Sequence, residues 1–101
     1  MPRTTKKIPQ AVTVFVEVRL SGHDDEQLRY FEEAITRFPE VAECYLMTGD
    51  CDYLLRVVAI DVKEYHRFLD SRLRKLRGVR ATKSSVAMRQ IKRSPTGAAT
   101  R

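Results

Sequence analysis

The chain has 101 residues, 43% of them apolar and 32% charged, with a formal net charge of +6 at pH 7, and this size and composition predict one compact domain. The sequence has no run of about 18 apolar residues and no cationic start followed by an apolar stretch, so it predicts neither a membrane span nor a signal peptide. We therefore expect a cytoplasmic protein in which both cysteines, Cys44 and Cys51, are reduced.

The net charge of +6 comes from the two ends of the chain. Residues 1–10 hold three basic residues and no acid, as do residues 92–101, whereas residues 11–91 hold 13 of each. Within that neutral body, residues 11–52 have a net charge of −7 and residues 53–91 of +7. Proteins that bind nucleic acid usually carry a basic face, so we expect no sequence-specific DNA binding by this chain. The oppositely charged halves are expected to lie side by side or to face partner copies.

The first predicted element is a strand. Valine occupies every second position from Val12 to Val18, and such alternation up to Leu20 is typical of a strand with one buried face. The polar residues 1–10, which include two prolines, precede it as a predicted basic, flexible N-terminal tail.

An amphipathic helix is predicted next. Asp24 is its expected N-cap, Gln27 is the capping-box partner three residues on, and Pro39 is its stop. The apolar stripe of this helix, at spacings of three and four, consists of Leu28, Phe31, Ile35 and Phe38.

Two apolar runs that flank a short polar turn predict a β-hairpin, with arms roughly over residues 41–48 and 52–60. The turn offers a hydroxyl, a residue that tolerates positive φ and two carboxylates, which belong to Thr48, Gly49, Asp50 and Asp52. Glycine and aspartate are favoured turn residues for structural reasons alone. Even so, a connection between strands does not need this many polar groups.

A second helix and a last strand complete the pattern. Asp61 with Glu64 repeats the capping arrangement, and Gly78 supplies a left-handed C-terminal stop. The apolar stripe of this basic helix consists of Tyr65, Phe68, Leu69, Leu73 and Leu76. A strand is predicted over roughly 79–91, and residues 93–101 have the composition of a flexible tail.

The order β-α-β-β-α-β predicts an α+β, ferredoxin-like fold, in which two helices cover one face of a four-stranded antiparallel sheet. The strands carry apolar residues at both alternating positions, as in Val14 beside Phe15 and Leu55 beside Leu54. One set packs on the helices, and the other leaves an exposed apolar face, which is typical of an interface. We therefore predict dimerisation through the sheet.

The segment from about Val12 to Lys92 resembles the effector-binding (RAM) domain of the Lrp/AsnC, or leucine-responsive / asparagine-regulator, family of transcriptional regulators. The likeness rests on an ordered set of short motifs, namely Phe38-Pro39-Glu40-Val41, Glu43-Cys44, Thr48-Gly49-Asp50, Asp52-Tyr53-Leu54-Leu55, Val57-Val58, Gly78-Val79 and Ser84-Ser85. The resemblance implies that residues 11–92 form a small-molecule sensor rather than an enzyme. It also implies dimers that assemble further, often into octamers.

Typical members of this family begin with a helix-turn-helix DNA-binding domain. Only ten residues precede the first predicted strand here, so we expect a stand-alone or truncated module. Its predicted partners are other copies of itself and, in addition, full-length regulators of the family.

The resemblance further implies that an amino acid binds between dimers, beside the hairpin turn. A zwitterion needs an acceptor for its ammonium group, which Asp50 or Asp52 can supply, and donors for its carboxylate. The predicted effector-binding residues are Thr48, Gly49, Asp50, Cys51, Asp52, Tyr53, Ser84 and Ser85. By strand alternation, at most one of the two serines faces this site.

Other functions have weaker support. Two carboxylates without a further acidic cluster do not predict a metal site, so we expect no metal, and no cofactor beyond an amino-acid effector. A catalytic set around His23 or His66 would need neighbours that this topology does not predict. Two alternatives stay open: a ligand-free interaction module that co-assembles with a full-length regulator, and a dimeric α+β-barrel enzyme. The enzyme would need a polar catalytic set in a wide cleft, which we do not find.

Overall fold

A computed structural model describes residues 11–95, and its elements follow the predicted order. Their bounds are β1 Val12–Leu20, α1 Asp25–Thr36, β2 Val41–Leu46, β3 Tyr53–Ala59, α2 Val62–Phe68 and β4 Val79–Ala87. The four strands form one antiparallel sheet in the order β2-β3-β1-β4, with both helices on one face. The predicted ferredoxin-like architecture is therefore confirmed. The predicted N-terminal tail, and the C-terminal tail beyond residue 95, lie outside the described residues.

The core lies between the helices and one face of the sheet. Alternate residues of the central strands are fully buried there, because β1 and β3 lie between the two edge strands. Complete burial of a large apolar side chain stabilises a fold by about 1.5–3 kcal/mol. The contributors from the sheet are Val14, Val16, Val18, Leu20, Tyr53, Leu55 and Val57, and those from the helical layer are Phe31, Ile35, Tyr65, Phe68, Leu69 and Leu73.

Both helices begin at the predicted caps. The Asp24 carboxylate accepts the Gln27 backbone N–H at 2.8 Å, and Asp61 accepts that of Glu64 at 2.8 Å. The capping-box prediction for the Gln27 side chain is wrong. Its Nε2 donates instead to the Arg77 carbonyl at 3.1 Å, because the end of the second helical segment lies beside the start of α1.

Gly78 lies at the corner where α1, the second helical segment and β4 meet. Its φ of +91° is the predicted left-handed stop. A Cβ at this position would lie 2.2 Å from Nε2 of Gln27, so any other residue would also force the Gln27 side chain to move. The Gly78 carbonyl accepts the backbone N–H of Ser21 at 2.8 Å. These contacts connect the two chain crossovers at one corner of the domain.

Three strand ends differ from the sequence prediction. β4 stops at Ala87 rather than near Ile91, because Ala87 lies opposite Thr13 and β1 begins only one residue earlier. The hairpin arms end at Leu46 and begin again at Tyr53, which leaves residues 47–52 as a longer turn than predicted.

Three local irregularities were not predicted. In β2, Val41 lies opposite Val57 and Glu43 opposite Arg56, so Ala42 is an extra residue there. After Phe68 the second helix continues as a π-helical turn, Leu69–Leu73, in which the Arg74 N–H donates to the Leu69 carbonyl at 2.9 Å. In β4, Val79 lies opposite Leu20 and Ala81 opposite Arg19, so Arg80 is the extra residue of a β-bulge. Each irregularity inserts one residue into an otherwise regular element.

Candidate functional site

The hairpin turn is the centre of the predicted site. The Met47 N–H donates to the Asp52 carbonyl at 2.9 Å and closes the turn. Gly49 has a φ of +106° with open space around its Cβ position, so backbone conformation alone accounts for a glycine here. Thr48, Gly49 and Asp50 are exposed. The turn therefore presents its polar groups to solvent or to a partner.

Asp52 is bound within the domain. Its carboxylate Oδ2 accepts the Leu20 N–H at 2.7 Å, and its two oxygens lie 3.0 and 3.1 Å from Nε2 of His23. Its own N–H donates to the Val18 carbonyl at 2.9 Å. Burial acts to raise the pKa of Asp52, but the hydrogen bonds from Leu20 and His23 outweigh it and hold the pKa below its usual range. Asp52 thus attaches the turn to the end of β1.

Asp50 has a different environment. It lines a groove of about 280 Å³ at the end of the sheet. Within residues 11–95 its carboxylate makes no hydrogen bond or ion pair. The other residues of this groove are Glu17, Arg19, Ala81, Thr82 and Lys83. The groove therefore holds two carboxylates, Asp50 and Glu17, and two cationic side chains, Arg19 and Lys83.

Tyr53, the first residue of β3, and Cys51 offer few groups that a ligand could bind. Tyr53 is 1% exposed, stacks against Phe31 with ring centroids 4.6 Å apart, and donates its hydroxyl to Glu32. Burial and that hydrogen bond raise the pKa of Tyr53. The pKa of the Cys51 thiol is raised by desolvation and by the charge of Glu17, so the thiol stays protonated.

The two predicted serines lie on opposite faces of β4. Ser84 is opposite Val16 on the helix side, where its hydroxyl is hydrogen-bonded to that of Tyr65. Ser85 is opposite Phe15 on the helix-free face. Neither serine lines the Asp50 groove. Arg19 and Lys83, which the sequence interpretation missed, line it instead.

The helix-free face of the sheet is mixed rather than wholly apolar. Phe15 and Leu54 both belong to it, since they lie opposite Arg56 and Glu17 and so have the reverse orientation to the core valines. Phe15 is 39% and Tyr45 50% exposed. Charged residues surround these side chains, including a pair in which Arg56 Nε lies 3.1 Å from a Glu43 oxygen. A cluster of exposed apolar side chains is therefore bordered by charges, as in many interfaces.

The described part of the chain shows no metal cluster, disulfide or membrane-spanning helix. Residues 11–95 contain no group of three or more histidine, cysteine or acidic side chains that could hold a metal ion. Cys44 and Cys51 are both free. No helix among these residues is long and apolar enough to cross a membrane.

Comparison with known proteins places these features in a family. The model of the Lrp/AsnC ligand-binding domain matches residues 13–96. The Bkd operon transcriptional regulator of Pseudomonas aeruginosa is 40% identical over 86 residues, which are 85% of this chain and 56% of that protein. This chain spans about half the length of the curated relatives that it matches.

Solved structures agree with this result. An AsnC family transcriptional regulator from Agrobacterium tumefaciens is 41% identical, with a TM-score of 0.78 over 93% of this chain and 63% of that one. A Neisseria meningitidis transcriptional regulator, solved as a complex with L-Met, is 26% identical, with a TM-score of 0.78 over 83% of this chain and 54% of that one. The relatives are transcriptional regulators and not enzymes. The chain therefore belongs to the Lrp/AsnC family, of which it comprises the ligand-binding domain.

Proposed function

We propose that this domain is an amino-acid-sensing, oligomerising part of a transcriptional regulator, and that the amino acid binds beside the hairpin turn, in the Asp50 groove, where dimers meet. The observation that carries the proposal is the free carboxylate of Asp50 in one groove with Arg19 and Lys83.

The charges of this groove suit a zwitterion. A carboxylate without an internal partner is available to an α-ammonium group, and an arginine and a lysine are available to an α-carboxylate. Asp52 was an equal candidate for the ammonium, but its oxygens already accept from Leu20 and His23. Of the two aspartates, Asp50 is therefore the proposed ligand contact, and Asp52 positions the turn.

The proposed assembly has separate support. Phe15, Leu54 and Tyr45 form an apolar centre on the face that no helix covers, and a second copy of the sheet could bury it. Glu17 and Lys83 of the groove lie on that same face, opposite each other. A ligand bound in the groove, at the edge of this face, would therefore favour the assembly that binds it with higher affinity. The L-Met complex of the Neisseria relative supports an amino acid as the ligand class.

Calorimetric titration with the twenty amino acids tests the proposal. Wild-type protein is expected to bind at least one of them, and Asp50→Asn to bind it at least tenfold more weakly, because a charge-assisted hydrogen bond is worth about 1.5–3 kcal/mol. Glu33→Gln is the matched control, since it removes one exposed carboxylate from α1, outside the groove. Undiminished binding by Asp50→Asn would place the site elsewhere. If the wild-type protein bound no amino acid, the ligand-free co-assembly alternative would replace this proposal.

Light scattering with and without the ligand tests the assembly. We expect a dimer or larger species, with a distribution of masses that shifts when the ligand is added. If the mass distribution did not change at saturating ligand, ligand binding would not be coupled to assembly.

A further inference from the structure

A second recess lies on the helix side of β4, between that strand and the π-helical turn. Its volume is about 480 Å³. Leu69, Val79 and Ala81 provide apolar surface, and the polar lining comes from Arg74, Arg80, Thr82 and Ser84. The proposed amino-acid groove contains neither arginine.

Both walls of this recess are irregular where they supply an arginine. Arg74 closes the π-helical turn through its N–H bond to the Leu69 carbonyl. Arg80 is the extra residue of the β4 bulge, between Val79 and Ala81. Inserted residues of both kinds occur often at functional sites, where they redirect a side chain. Arg80 is itself an inserted residue and Arg74 directly follows the π-helical turn, so both irregularities border one recess.

The two guanidinium groups are poorly compensated. Arg74 Nη1 lies 3.5 Å from a carboxylate oxygen of Asp70, and this is an exposed i,i+4 pair of the kind that contributes little. Arg80 makes no ion pair within residues 11–95. Arg80 is exposed. An anion in the recess would therefore meet two available guanidinium groups.

Hydroxyl groups complete the donor set. Thr82 is half-buried, and its hydroxyl has no hydrogen-bond partner among the described residues. Ser84 is hydrogen-bonded to the buried Tyr65 hydroxyl. When Tyr65 donates in this pair, the Ser84 proton is free to bond to a ligand in the recess.

We propose that this recess binds a small oxyanion, either a phosphate or a carboxylate group, between Arg74 and Arg80. Guanidinium groups hold such oxyanions with paired N–H donors in one plane, and Thr82 and Ser84 add hydroxyl donors. Leu69 and Val79 would contact an apolar part of the same molecule. The recess adjoins the proposed amino-acid groove and shares Ala81 and Thr82 with it, but Arg74, Arg80 and Ser84 line the recess alone.

Nuclear magnetic resonance titration of the whole chain tests this proposal. The probes are sodium phosphate and sodium malonate, with sodium chloride added to hold the ionic strength constant, so that general screening does not change. The readout is the backbone amide shift of Leu69, Arg74 and Ser84, which line this recess and not the amino-acid groove. We expect these shifts to saturate with at least one probe, and the probe that saturates at the lower concentration identifies the preferred group.

Variants separate a built site from general attraction to a positive surface. Arg74→Gln/Arg80→Gln should weaken binding at least tenfold, whereas Lys63→Gln/Arg89→Gln, which removes two exposed charges outside the recess, should bind as wild type does. Equal binding by the two double variants would overturn the proposal, as would shifts that do not saturate in wild type. Amino-acid binding measured on Arg74→Gln/Arg80→Gln should be unchanged, so failure here is distinguishable from failure of the proposed function.

Discussion

His23 and Asp52 join the loop before α1 to the hairpin turn, with Nε2 of His23 within 3.0 Å of one carboxylate oxygen of Asp52. The same carboxylate accepts the backbone N–H of Leu20. The end of β1 and the beginning of β3 are therefore held together by one side chain. This gives the two aspartates of the turn different roles.

Replacement of Asp52 by asparagine should destabilise the domain by about 1–1.5 kcal/mol, the difference between hydrogen bonds to a charged and to a neutral acceptor. Asp50→Asn should change the free energy of unfolding by less than about 0.5 kcal/mol, because it removes no contact within the described residues. Urea unfolding at pH 7 measures both. Equal destabilisation by the two variants would contradict the structural role of Asp52.

The contribution of Asp52 should also depend on pH. Its pKa is lower in the folded protein than the unfolded value of about 3.9, so the stabilisation is complete above the unfolded value and is lost as the pH falls through the folded one. The difference in unfolding free energy between wild type and Asp52→Asn should therefore shrink as the pH falls below about 5. A constant difference over this range would exclude ionisation as its source.

Gly78→Ala should destabilise the domain by about 2–3 kcal/mol. The left-handed conformation costs a residue with a Cβ about 1–2 kcal/mol, and the Gln27 side chain would also lose its bond to the Arg77 carbonyl. Gly49→Ala is the matched control, since its φ is also positive but its Cβ would meet nothing within 4 Å. The difference in stability loss between the two variants, measured by thermal unfolding, gives the contribution of crowding at Gly78. A loss no greater than that of Gly49→Ala would show that Gln27 moves aside freely.

Phe15→Lys and Leu54→Lys should each weaken dimerisation at least 100-fold. In a symmetric dimer each substitution occurs twice, and burial of one such side chain is worth about 1.5–3 kcal/mol. Val62→Lys is the control, because Val62 is 42% exposed at the start of α2, on the opposite side of the sheet. Sedimentation equilibrium measures the dissociation constants. If both sheet-face variants kept the wild-type mass, the dimer would use another surface.

Local signals in the sequence predicted the features that depend on local geometry. Asp24, Asp61 and Gly78 act as predicted, because a cap or a left-handed stop involves only the few residues around it. Gln27 did not, since its side chain bonds to a carbonyl 50 residues away. The apolar spacing of Phe68, Leu69 and Leu73 fits an α-helix as well as a π-helical turn. The sequence pattern therefore does not predict the inserted residue.

The candidate site depends on strand register, which the sequence does not show. Both aspartates of the turn satisfy the same local rules, and only the nearby end of β1 distinguishes them. The face on which Ser84 lies follows from its pairing with Val16. To predict Arg19 and Lys83 as site residues, the strand register must also be known, since they reach the groove from two strands that are far apart in the chain.

The corner at Gly78 has a consequence for local opening. The backbone N–H of Ser21 donates to the Gly78 carbonyl, and the side chain of Gln27 donates to the Arg77 carbonyl. Neither crossover can therefore separate from the sheet without breaking a bond to the other. Amide hydrogen exchange should then occur at nearly the same rate in the first turn of α1 and the first residues of β4. At the other end of the sheet, β4 stops where β1 begins, and Ala87 should exchange earlier and independently.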